Sequence, residues 1–172
     1  IWANILPAAI ERNTYVLFSS LALMLIFWQW RPMGGVIWDV SGTTLGGLLI
    51  VVSITGWLIV LISTFLLDHF ELLGLKQSLS NLTGREIPVS SFKTPGFYKF
   101  VRHPMYFGFT VAFWATPIMT TAHLLFAVGT LGYTIIGIWF EEKDLTAFFG
   151  DEYKHYKSRV SMLIPLPAKK DG

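Results

Sequence analysis

Two short polar runs stand out in an otherwise apolar chain, because their residue types could act together on a small molecule. The first is Arg102-His103-Pro104-Met105-Tyr106-Phe107-Gly108, preceded by Tyr98. Proline suits the first turn of a helix, where its missing N–H would be unpaired anyway, and it biases the preceding residue away from the α region. Arg102 and His103 are therefore expected just before a helix, beside free backbone N–H groups that attract anions. Tyr106 falls half a turn inside. The second run is Glu141-Glu142-Lys143-Asp144. Adjacent carboxylates at the very end of a helix would oppose its dipole, so this helix is expected to continue through Phe149 and stop at Gly150, a good C-terminal residue. Glu141 then shares a face with Gly137, and Glu142 shares one with Ile138, about 100° round. A cation and an imidazole opposite two carboxylates suit a zwitterionic ligand with hydroxyl groups. Spacing alone leaves a plainer account open. Arginine and tyrosine ordinarily snorkel at a membrane boundary, and boundary glutamates can simply be solvated.

Other candidates carry less. Asp68, His69 and Glu71 follow an apolar run, and His69, Leu72 and Lys76 share a helical face. His123 falls at a bend and reads as a loop residue. Tyr153, Tyr156, Lys157 and Val160 recur at helical spacing, which fits an amphipathic helix on a membrane surface or over a site, with packing the simpler role. There is no Gly-rich phosphate loop, HExxH or Gly-x-Ser-x-Gly motif. The absence of cysteine excludes disulfides, zinc–thiolate sites and cysteine nucleophiles. A net charge of +2, with no long basic run, gives no footing for nucleic acid.

The elements that must hold these runs are set by composition. Hydrophobic residues make up 53% of the 172 and charged residues 14%, against roughly 25% charged in a typical soluble protein. Residues 13–30, 40–67 and 104–140 carry no Lys, Arg, Asp or Glu, giving uncharged runs of 18, 28 and 37 residues. About 20 apolar residues cross a bilayer, so the first two runs suit one helix each and the third a hairpin. The expected fold is all-α: a polytopic membrane helix bundle, a single domain over 1–172. Its spans are near 15–30, 44–67, 104–119 and 122–140, with a short loop over 33–43. Paired Gly46-Gly47 offers a place for close helix contact. Four crossings place 12 of the 13 Lys and Arg residues on one side, leaving only Arg31 across. By the positive-inside rule the 68–103 and 141–172 stretches then form a cytoplasmic helical and loop cap. The chain opens at Ile1 rather than Met, so an upstream segment is expected; a signal peptide fits poorly, since no small-residue cleavage site follows the first apolar run.

The order Arg102-His103-Pro104-x-Tyr106-x-Gly108, then Glu141-Glu142-x-x-Leu145, then Phe149-Gly150-x-x-Tyr153-x-x-Tyr156 and Arg159-Val160 resembles the integral-membrane methyltransferases. That family includes isoprenylcysteine carboxyl methyltransferase and bacterial phospholipid methyltransferases. Glu11-Arg12-Asn-Thr-Tyr15, Trp28-Gln-Trp30-Arg31-Pro32 and the stretch from His69 to Gln77 look closer still to the family's bacterial thiol-methylating branch, over nearly the whole chain. The resemblance implies a further hydrophobic segment before Ile1. It also implies that S-adenosylmethionine binds at the cytoplasmic end of the hairpin, lined by Tyr98, His103, Pro104, Met105, Tyr106, Glu141 and Glu142. Ser90 to Lys93 match a cofactor-contacting strip by position only. One departure is informative: the prenylcysteine enzymes carry a substrate-contacting arginine one turn before Glu-Glu, where this chain has Gly137. A carboxylate substrate would lose its cation there, and a small neutral thiol would lose nothing.

The activity so implied is transfer of the sulfonium methyl to methanethiol, giving dimethyl sulfide and S-adenosylhomocysteine in a bacterial inner membrane, without a metal. An ordinary cysteine thiol is only a few per cent ionised at pH 7, and a simple alkanethiol is less acidic. A base is therefore expected: His103 first, with Tyr106 or His69 behind it, and Arg102 as the cation that stabilises the thiolate. Two alternatives stand beside this. One keeps the chemistry and changes the acceptor to a lipid amine, a prenylcysteine or another hydrophobic thiol. The other is non-enzymatic, a membrane scaffold or a haem protein using His69, His103 or His123.

Overall fold

The computed structural model describes residues 8–31, 33–66, 92 and 94–166. The chain divides into two compact units, 1–32 with 67–91, and 33–66 with 92–172. Helix α1 (Ala8–Gln29) is the described element of the first. It starts two turns before the expected Tyr15, because Ala8, Ala9 and Glu11 are good helix formers; the onset of the uncharged run marks where charge ends, not where the helix begins. The second unit holds β1 (Val36–Asp39), α2 (Thr44–Leu66), a 3₁₀ turn (Gly96–Lys99), α3 (Pro104–Trp114), β2 (Ile118–Thr120), α4 (Thr121–Phe149) and α5 (Asp151–Arg159).

Helix α2 follows the expected limits closely. Thr43 opens it, its hydroxyl accepting the Gly46 N–H at 3.1 Å as a helix N-cap does. The helix is inside out by the standard of a soluble core: its buried residues are Gly46, Gly56 and Ser63, while Leu48, Val51, Ile54, Trp57 and Leu61 are exposed. Small residues inside and large apolar ones outside is the pattern of a helix whose solvent is lipid. Among the described residues, α2 and α4 are long and apolar enough to cross a membrane.

The contact between α2 and α3 is backbone on backbone. A Cβ added at Gly56 would lie 2.7 Å from the Ala112 nitrogen and 2.8 Å from the Gly108 oxygen; one at Gly108 would lie 2.7 Å from the Gly56 oxygen. The Ser53 hydroxyl donates to the Ala112 carbonyl at 3.0 Å, and Trp57 meets Phe109 and Phe113 edge-on. The expected role of Gly46-Gly47 is thus corrected. Gly46 is crowded by the Val40 carbonyl in its own entry turn, and nothing lies within 4 Å of a Cβ at Gly47. The close approach belongs to Gly56 and Gly108.

Helix α3 is also shorter than the expected 104–119. It ends at Trp114 because Pro117 and the residue before it favour extended backbone. The extended piece does not go unpaired: β2 forms a two-stranded antiparallel sheet with β1, Val36 opposite Thr120 and Asp39 opposite Ile118. Val40 N–H donates to the Pro117 carbonyl at 2.9 Å, and the Trp38 indole donates to the Thr116 carbonyl at 3.0 Å. Residues 33–43 are therefore not a plain loop, and the fold is mostly helical rather than purely α. At the next boundary Thr120 caps α4, accepting the His123 N–H.

Helix α4 runs without a break through Glu141 and Glu142 to Phe149. It stops at Gly150, whose φ of 59° is the positive value that glycine adopts freely. Its uncharged stretch 121–140 is about 30 Å long at 1.5 Å per residue, the thickness of a hydrocarbon core. The two glutamates begin where that stretch ends. Helix α5 turns back from Gly150 with Asp151 and Glu152 in its first turn and Lys157 and Arg159 in its last, each favourable to the helix dipole.

Candidate active site

Pro104 occupies the first turn of α3, and His103 before it has φ −125° and ψ 66°, outside the α region. Arg102 and His103 are fixed in this extended stretch by the chain that follows α5. Arg102 N–H donates to the Ser161 carbonyl at 2.9 Å and His103 N–H to the Met162 carbonyl at 3.2 Å. Val101 and Ser161 form a parallel bridge. On the other side the Tyr156 hydroxyl donates to the Tyr98 carbonyl at 2.6 Å. Segments separated by more than fifty residues are thereby held in one place.

Glu142 is the centre of the arrangement. Its Oε1 accepts the Arg102 Nε–H at 2.7 Å and lies 3.3 Å from His103 Nε2, and its Oε2 lies 2.7 Å from Lys157 Nζ. Arg102 and Glu142 have side-chain exposures of only 8% and 7%. Arg102 Nη1 also donates to the Lys157 carbonyl at 3.0 Å and to the Val160 carbonyl. A buried ion pair survives only when its remaining hydrogen-bonding capacity is also met, and here α3's entry, α4 and α5 all contribute to meeting it.

Glu141, the next residue, differs. Its side chain is 45% exposed, and its Oε2 lies 3.6 Å from His103 Nδ1. The two glutamates point about 100° apart on α4, so one faces the ion cluster and the other faces outward across the imidazole. His103 is buried between them, and its ring stacks on Tyr106 at 5.7 Å. Burial holds the His103 pKa below its usual 6.5, outweighing the opposing pull of Glu141 and Glu142. The Nε2 contact with Glu142 favours the neutral tautomer protonated there, which leaves Nδ1 as the basic nitrogen on the Glu141 side. Burial likewise raises the Tyr98 and Tyr153 pKa values, Glu141 adding to the first and Glu142 to the second. Tyr156 is pushed up to about 12, again chiefly by burial. All three phenols are un-ionised at neutral pH.

Of the residues singled out in the sequence, Arg102, His103, Tyr106, Glu141 and Glu142 are brought together. Tyr98 joins them through its carbonyl and its electrostatic neighbour Glu141. Pro104 is buried at the start of α3. Met105 turns toward α2 instead, its sulfur 3.9 Å from the Thr64 hydroxyl. His69 lies outside the described residues, as do Asp68, Glu71, Lys76, Ser90, Ser91 and Lys93; Phe92 is described and packs on Phe149, Tyr153 and Tyr156. His123 sits at the far end of α3, with Nε2 2.7 Å from the Phe113 carbonyl. His103 and His123 therefore cap opposite ends of one helix. Lys157, read as part of an amphipathic repeat, is in fact an ion-pair partner of Glu142. Its signal was present in the need of a buried carboxylate for more than one cation.

The phospholipid methyltransferase family model matches residues 42–152, the stretch from the entry of α2 to the start of α5. The chain belongs to this family. It is 56% identical, over 95% of its length, to Methanethiol S-methyltransferase 1 of Bradyrhizobium diazoefficiens, covering 58% of that protein. It is 51% identical over 98% of its length to Methanethiol S-methyltransferase of Crocosphaera subtropica, covering 66% of it. With Methanethiol S-methyltransferase of Mycobacterium tuberculosis the identity is 48% over 96%, covering 68%. The chain thus spans roughly three fifths to two thirds of the length of these relatives. No solved structure matches it at a significant level.

Proposed function

We propose that this chain carries the active site of an S-adenosylmethionine-dependent methyltransferase that methylates methanethiol to dimethyl sulfide. The site lies at the cytoplasmic boundary of a multi-pass inner-membrane protein. The observation that carries the reading is the meeting of Arg102-His103 with Glu141-Glu142 at the end of an uncharged helix long enough to cross a bilayer. The names of the relatives support the acceptor.

The residues present fit the cofactor. Glu141 offers a half-exposed carboxylate for an ammonium or ribose hydroxyls, and the un-ionised Tyr98, together with Tyr106, supplies aromatic surface and hydroxyl groups around it. S-adenosylmethionine supplies a methyl group on a sulfonium, poised for in-line displacement by a sulfur nucleophile. His103 takes the thiol proton at Nδ1 as the new carbon–sulfur bond forms, and the resulting imidazolium lies between Glu141 and Glu142. Glu142 holds the imidazole in the right tautomer. Arg102 acts through Glu142 and the α5 backbone, so we assign it a positioning role in place of direct contact with the thiolate. The positive charge of the sulfonium thus passes to the imidazolium, where the two carboxylates balance it.

Gly137 supports the small acceptor. Residue 137 is glycine, so α4 presents no cation one turn before Glu141 to meet a carboxylate substrate. Headspace gas chromatography of a membrane fraction given S-adenosylmethionine and methanethiol tests the reading, with Glu141→Ala as the control. Dimethyl sulfide above the control is expected. Its absence contradicts the proposal, and methylated lipid in its place moves the acceptor to a lipid amine.

A further inference from the structure

Helix α5 carries two tyrosines one turn apart, and the structure treats them differently. The Tyr156 hydroxyl is bonded to the Tyr98 carbonyl. Tyr153 is the more deeply buried, at 1% exposure, yet its hydroxyl has no hydrogen-bond partner. A buried hydroxyl without a partner is a net cost to the fold, and phenylalanine in the same rotamer would avoid it. Such a group invites a search for what it does when the protein works. Its position narrows the answer. Tyr153 precedes Lys157 by four residues, on the same helix face, and the Lys157 ammonium touches Glu142. Its ring sits edge-on to Phe92 at 5.8 Å and tilted against Tyr156 at 5.8 Å, an aromatic wall beside the ion cluster. Glu142, Arg102 and Glu141 are its charged neighbours. The phenol stays un-ionised beside these charges and donates to none of the described residues, so it is a donor awaiting an acceptor.

We propose that Tyr153 is a ligand-binding residue of this site, its hydroxyl donating to an oxygen or ring nitrogen of the adenosine part of S-adenosylmethionine. This rests on the function proposed above and adds a binding group from α5 to those from α3 and α4. It also gives the α5 aromatic wall a purpose: Phe92 and Tyr156 border the same nucleoside that Tyr153 holds by one hydrogen bond.

Purified protein in detergent, wild type and Tyr153→Phe, is titrated with S-adenosylmethionine, and each is melted with and without it. Tyr153→Phe should weaken binding about tenfold, the loss of one good hydrogen bond, and raise KM for S-adenosylmethionine with kcat within about twofold. The ligand-free variant should melt at the same temperature as wild type or higher, because an unpaired donor has been removed. Tyr156→Phe should move melting the other way, since it strips the Tyr98 carbonyl of its donor. Wild-type affinity in Tyr153→Phe overturns this inference while leaving the methyltransferase reading intact. Weak binding together with a lowered ligand-free melting temperature also overturns it, because that pattern belongs to a packing residue. Failure of the wild type to bind S-adenosylmethionine at all removes both.

Discussion

Helix α3 is held along its middle and at its start by opposite kinds of chemistry. Along its middle it meets α2 through Gly56 and Gly108, with no charge and almost no side chain between the backbones. At its start it meets α4 and α5 through Arg102, His103, Glu142 and Lys157, among the few buried or half-buried charges in the described chain. The first contact is dispersion and close fit, which lipid cannot replace. The second spends buried polar groups that a stable fold could do without, since apolar residues of similar shape serve stability as well or better. A costly ion cluster next to an inexpensive packed seam is what a site looks like when one part of a structure is selected for folding and the other for binding.

The two regions should part most sharply at Glu142. Replacing it with alanine leaves Arg102 and Lys157 without their shared carboxylate, and removing one partner of a buried pair costs about 4 kcal/mol. Unfolding in mixed micelles should show that loss, together with loss of methyl transfer. At the seam, Gly108→Val places side-chain carbon against the Gly56 carbonyl and should cost about 2–3 kcal/mol. Its residual folded fraction should still bind S-adenosylmethionine, whereas that of Glu142→Ala should not.

The pH response separates the two regions further. The His103 pKa is held below 6.5 by burial, so the neutral, proton-accepting form prevails above that value and is lost as the pH falls. The rate of methyl transfer should be flat above pH 7 and should decline with a midpoint below 6.5; the same depressed pKa removes stability on the acid side, because protonation favours the unfolded chain. A profile still rising between pH 7 and 8 would remove His103 as the base. The smallest effect is expected at Gly47, where a Cβ meets nothing. Gly47→Ala should stabilise α2 by about 0.5 kcal/mol, in contrast to the damage at Gly108.

Much of this was legible in the residue string, for identifiable reasons. The uncharged runs gave α2 within a residue of its limits, because a bilayer imposes length on any helix that crosses it. The helix dipole disfavours an end at Glu141-Glu142, which extends α4 to Gly150. The meeting of Arg102-His103 with the glutamate pair followed from placing both at the same end of one hairpin. What escaped depends on partners distant in sequence. Val36–Asp39 has too little alternation to announce a strand and becomes one only against Ile118–Thr120, which exists because α3 stops before Pro117. Gly46-Gly47 looked like a packing motif by type, while the glycine that packs is the one whose face meets Gly108. The division of labour between Glu141 and Glu142 was also hidden, since adjacent identical residues differ only in which way the helix turns them.

The claim on which the account depends is that Glu141 faces the ligand while Glu142 supports the site. Equilibrium binding of S-adenosylmethionine to the detergent-purified wild-type protein and to Glu141→Gln, with melting measured alongside, tests it most directly. Wild-type binding should be saturable and about tenfold weaker in Glu141→Gln, with ligand-free stability within about 0.5 kcal/mol of wild type. Equal affinity in the two proteins, or no saturable binding by either, would contradict it.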